Sequence, residues 1–404
     1  MNTFNFTGKI ASCKESDKFK PYTNGKLNET SAWSKNSIKF NVICGTNRHL
    51  VESQCLYPND INSASIRTFS KGGENPDGTR TKGEVIDVAY ADRNKPDVIA
   101  NVASFKKFVV DTEVAGRRRS LEFAIGKFKD GTIADSEMDA LGVHSIAEAE
   151  AALEKSNKKK HEFIWEYDFI EFLNDKLINN PAIKDWIWHI SGEYKLEYSE
   201  KNNQWYRKFV VQKIYRADDS SEPKSEGTLT IVFNKDAVDD ADFAETGKVH
   251  INGYLGQYLG KPYKKTCFAP TAFTADGSKD DVAKKLAMGF KKKFTFPDSC
   301  DCEWREIGVV TSIIDGVQKA ELTEDMLTDE QRENIEFGLI TMEDVIKELG
   351  RDIYGERVQD IVLTGLMRGY TGGAKDTVYT DSDVLSVSSE LDDVVDNIFD
   401  EDEI

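Results

Sequence analysis

The chain has 404 residues, 39% hydrophobic and 31% charged, with a mean hydropathy of −0.52 and a formal net charge of −18. No apolar run is long enough to span a bilayer as a helix, and the length favours two domains with appendages over one. The first residues show no basic segment followed by an apolar stretch, so a cytoplasmic location is expected.

The charge is unevenly placed. Residues 1–300 carry 45 Lys and Arg against 43 Asp and Glu, whereas residues 301–404 carry 8 against 28. A near-neutral body that meets a polyanion, followed by an acidic arm with another task, is one reading of this asymmetry. A solvated acidic region that only maintains solubility is the other. The six cysteines are too sparse for a disulfide framework, so reduced thiols are expected. Cys300 and Cys302 could offer two metal ligands, but no second pair at finger spacing follows, and no metal site is expected.

In chain order, residues 1–115 read as a first β domain. FNFTGKIAS, SIKFNVICG, HLVESQCLY, GEVIDVAYA and DVIANVASFKKFVVD alternate apolar and polar residues between Gly-, Asn- and Pro-rich loops. Residues 116–180 change to helical spacing, with Ser145 and Glu148 placed as a capping box, and predict a helical linker. Residues 181–300 return to strands and predict a second β domain. Residues 301–371 read as a helical acidic region, with helix starts at Thr328 and Thr341. Residues 372–404 have the polarity of a flexible acidic tail. The expected class is mainly β with α appendages, two small barrels joined by helices.

No phosphate-cradling glycine loop, nucleophile elbow or metalloprotease motif occurs, so the chain reads as a binder rather than an enzyme, without cofactor. Its binding signal is aromatic residues interleaved with cations. QWYRK supplies Trp205, Tyr206, Arg207 and Lys208, and KIYR adds Tyr215 and Arg216. GYLGQYLGKPYKK supplies Tyr254, Tyr258, Tyr263, Lys264 and Lys265. The first β region offers Tyr22, Trp33, Lys35, Arg48, Arg80, Lys106 and Lys107. Strand alternation puts Trp205, Arg207 and Phe209 on one side and Tyr206, Lys208 and Val210 on the other. One side must be core; the other can stack unpaired bases and track phosphates.

The stretches FNFTGKIASCKESDKFKPY, SIKFNVICGTNRHLVES and SGEYKLEYSEKNNQWYRKFVVQKIYRAD resemble tandem OB-fold-like single-stranded DNA-binding proteins of bacteriophages. The resemblance implies two OB-like barrels and single-stranded DNA as partner in phage replication or recombination. Such proteins end in an acidic arm with a hydrophobic tip that docks on replication partners. Here LDDVVDNIFDEDEI places Leu391, Val395, Ile398, Phe399 and Ile404 among carboxylates, although Phe399 precedes the last acidic run. A phage structural protein, and an acidic mimic of DNA, remain as alternatives.

Overall fold

The computed structural model describes residues 2–73, 79, 81–199, 202, 204–259, 265–297, 300–319, 327–342, 344–345 and 354–385. Ten long strands organise it, and their alternation explains why they form. In β2 (Trp33–Cys44) Ile38, Phe40, Val42 and Cys44 point inward, and in β3 (Asn47–Pro58) His49, Val51, Cys55 and Tyr57 do the same. The intervening residues face out, as a two-residue period requires.

Five strands pair in a first closed circuit: β1 (Thr3–Ser12), β2, β3, β4 (Ile187–Ser199) and β5 (Gln204–Arg216). β1 pairs antiparallel with β2 and with β4, β2 with β3, and β4 with β5. β3 meets β5 in parallel and closes the ring. A second circuit repeats the order with β6 (Lys224–Phe233), β7 (Lys248–Leu259), β8 (Lys265–Asp276), β9 (Arg305–Lys319) and β10 (Tyr354–Leu366). β6 pairs antiparallel with β7 and β9, β7 with β8 and β9 with β10, while β8 meets β10 in parallel.

Each circuit carries a helix between its third and fourth strands. In the first it is α4 (Glu166–Phe172), extended by one wider turn, which buries Phe169, Ile170, Leu173 and Leu177. Before it, α1 (Arg117–Asp130), α2 (Asp135–Leu141) and α3 (Ile146–Asn157) share a small core of Leu121, Val143 and Ala149. In the second circuit the helix is α5 (Asp281–Phe294), capped by Asp280 and burying Ala287, Phe290 and Phe294. The two circuits join where β1 lies antiparallel to β6, from Thr3 opposite Thr228 to Thr7 opposite Lys224. One hydrophobic cluster runs through both, from Phe4 and Phe40 to Phe233 and Phe294.

The chain is mainly β with helices attached, as expected, but several segments fall elsewhere than the sequence suggests. β4 and β5, expected to open a second β region, close the first circuit by pairing with β1 and β3. The helical reading of 301–371 is corrected: β9 and β10 occupy much of that span, and Asp329–Glu336 is helical between them. The tail expected to start at 372 is docked as far as 385. Lys375 and Asp376 pair with β9, and Tyr379 and Val384 pack on Phe268 and Trp304, because burying these apolar groups outweighs leaving them in water. Cys300 and Cys302, expected as free thiols, are joined in a disulfide, since their spacing brings the sulfurs within reach.

Candidate nucleic-acid interface

The outer faces of β2, β3 and β5 gather one group of the sequence-predicted residues. On β2 the outward positions are Trp33, Lys35, Ser37 and Lys39; opposite them on β3 stand Pro58, Leu56, Gln54 and Glu52. Trp33 is 37% exposed and Tyr206 41% exposed, and Leu50 and Leu56 also stand open to solvent. β5 runs beside β3 with Phe209 next to Val51, so Lys208 and Tyr206 continue the face beyond Glu52. At about 3.3 Å per residue the face follows roughly 30 Å of strand from Trp33 towards Tyr206.

Its electrostatics are mixed. Partial burial, then repulsion from Lys39 and Lys208, holds the Lys35 ammonium below its ordinary range. Lys208 is also partly buried, but its contacts with Glu197 and Glu52 outweigh that burial and raise it. Lys39 lies 3.6 Å and Lys208 3.2 Å from Glu52 carboxylate oxygens, and Lys208 also pairs with Glu197. Arg48 is exposed on the same strand. Glu52 and Glu197 are part of the site that interleaved aromatics alone do not signal. Following the outward positions of β3 from buried Val51 would have found Glu52, Leu50 and Leu56.

The face runs into a cleft of 780 Å³ shared by the two circuits. Trp205 is half-buried there with its ring 5.3 Å from Tyr198, and Arg207 pairs with Asp315 of β9 at 3.3 Å. The charges lining the cleft nearly cancel: Lys39, Arg207 and Lys208 face Glu52, Glu197, Asp315 and Asp360.

Other predicted residues lie apart. Tyr22 is partly buried and donates to Glu171 at 2.7 Å, and burial with that carboxylate raises its hydroxyl pKa. Lys107 is held by Glu162 at 2.8 Å, while Lys106 is exposed beside Phe105. Tyr215 is half-buried, and Arg216 lies 3.8 Å from the Trp186 ring with Asp219 at 3.6 Å. Tyr254 packs edge-on to Trp304 at 5.3 Å. Tyr258 is 61% exposed and lines a separate 680 Å³ hollow with Tyr370 and Tyr379. Lys265 starts β8 and is partly exposed. Arg80, Tyr263, Lys264 and the tail residues Leu391, Val395, Ile398, Phe399 and Ile404 lie outside the described residues. The sulfurs of Cys300 and Cys302 and a carboxylate oxygen of Asp376 lie within 4.8 Å of one another.

No family model matches the chain, and no curated protein matches it. Among solved structures, a deletion mutant of the single-stranded DNA binding protein from Thermus aquaticus aligns at 6% identity. The alignment covers 81% of this chain and 98% of that one, with a TM-score of 0.29. A likeness of that size carries no argument about function.

Proposed function

We propose that the chain is a non-enzymatic binder of single-stranded DNA built on two OB-like barrels, acting in the cytoplasm during phage replication or recombination. The barrel assignment is supported by the strand order. Each circuit runs first–second–third–fifth–fourth and back to the first, with a parallel contact between third and fifth strands. In such barrels the face of the second and third strands binds oligonucleotides. On this reading the domains are 3–216, with residues 59–165 as an insertion before α4, and 224–366, with residues from 386 onward as the acidic arm that recruits replication partners. The phage setting rests on the resemblance of the quoted stretches.

The observation that carries the proposal is the outer face of β2, β3 and β5. Two exposed aromatics bracket Lys35, Lys39 and Lys208 on one face, which suits base stacking along a tracked backbone. Base–aromatic stacking contributes about 1–3 kcal/mol per base. Trp33→Ala and Tyr206→Ala are each expected to weaken oligo-dT binding about 5- to 150-fold, with the small change in stability usual for an exposed side chain. Fluorescence anisotropy with single-stranded and duplex probes reads this. Binding indifferent to both substitutions, or equal for duplex, removes the proposal.

A further inference from the structure

A basic pocket elsewhere shares no lining residue with the cleft. It has a volume of 620 Å³ and lies between the end of α5 and the turn at 372–374, lined by Lys291, Lys292, Lys293, Arg305 and Phe296. No carboxylate lines it among the described residues. Lysines in a last helical turn offset the negative end of the helix dipole, which explains three of these cations without a ligand. Arg305 is not explained that way, because it comes from β9 and is turned to the same space.

The cations are anchored rather than exhausted. Arg305 donates to Asp376 at 2.8 Å and to the Ala374 carbonyl at 2.9 Å, out of five guanidinium donors. Lys293 donates to the Gly372 carbonyl at 3.3 Å, and Lys291 pairs with Asp240, each from three ammonium donors. Gly373 has φ +113°, and a Cβ there would stand 3.2 Å from the Lys293 ammonium, so the turn lets a cation close against bare backbone. Phe296 has its ring 5.9 Å from the Arg305 guanidinium and offers an apolar wall beside the charges.

We propose that this pocket binds the phosphate of a nucleotide, with Lys292, Lys293 and Arg305 on its oxygens and Phe296 against its base. The nucleotide can be free or part of a strand. Calorimetric titration of the full chain with inorganic tripolyphosphate at low salt is expected to show one saturable site. Lys292→Ala/Lys293→Ala is expected to weaken it at least tenfold, and Lys293→Arg to retain it. If the double variant unfolds, Lys292→Ala at its exposed position gives the same reading. No saturable binding to the native chain, or equal binding to the variant, overturns the proposal. Displacement of the probe by dATP assigns a free nucleotide, and displacement by long oligo-dT assigns a strand; displacement by neither also overturns it. The probe has no base and the variants leave β2, β3 and β5 untouched, so this result is independent of the oligo-dT test above.

Discussion

Glu52 governs how much positive charge the candidate face presents. It sits between Lys39 and Lys208, and Glu197 holds Lys208 from the other side. Removing both carboxylates frees two ammonium groups for phosphate. Glu52→Gln with Glu197→Gln is therefore expected to tighten oligo-dT binding severalfold and steepen its salt dependence by about 0.7 in slope for each phosphate gained. Anisotropy at three salt concentrations measures it; an unchanged slope would mean that these lysines do not meet the backbone. His49 makes a different prediction. It is fully buried, stacked 4.1 Å from Phe6 and hydrogen-bonded to Ser225 at 2.9 Å. Burial lowers its pKa to about 4, with Asp315 opposing the shift and Arg207 adding to it. The unfolded chain thus takes up a proton that the folded chain refuses, so stability is full above the ordinary His range near pH 6.5. It is lost as the pH falls towards 4, by an amount of order 3 kcal/mol. Melting temperatures across that window should fall, and His49→Gln should flatten the part due to this residue.

Strands and caps are local, and their signals sit in the residues that form them. Ser145 accepts from the Glu148 amide and Thr328 from the Gln331 amide, as their spacing predicted. The alternation that separated Phe209 from Lys208 also separated core from surface. What closes the circuits is not local. β5 reaches β3 across a long insertion, and nothing in either strand names the other as partner. The strand β9 was hidden for another reason: its apolar stretch, IGVVTSII, was absorbed into a region read as helical from the starts at Thr328 and Thr341. The seam between circuits depends on close approach at Gly316 of β9, opposite Asn47. A Cβ there would lie 2.4 Å from the Thr46 carbonyl oxygen. Gly316→Ala is expected to cost about 1–3 kcal/mol by overpacking, read as a lower melting temperature. Gly25→Ala serves as control, because a Cβ at Gly25 meets nothing within 4 Å.

At the scale of the molecule, seven of the eighteen predicted contact residues lie together. Trp33, Lys35, Arg48, Tyr206 and Lys208 share the face, with Trp205 and Arg207 in the adjoining cleft. Tyr22, Tyr254 and Lys107 are occupied by the fold itself, since a tyrosine or lysine in a strand serves packing as readily as a ligand. Composition cannot make that distinction; only the neighbours that assemble around each side chain do. The acidic arm adds a test of its own. Residues 386–404 hold eight Asp and Glu and no Lys or Arg. Deleting them is expected to leave oligo-dT affinity unchanged or raised, because a competing anion is removed. Weaker binding after deletion would make the arm part of the grip rather than a recruiting segment.

The ladder between β1 and β6 makes the first strands of both circuits neighbours in one sheet, with a continuous core on its inner side. Two halves fastened in this way cannot swivel like beads on a string. Their spacing works as a fixed gauge, so a strand laid across both must conform to an interval set by the protein. Heat should likewise melt the pair in one cooperative step instead of two.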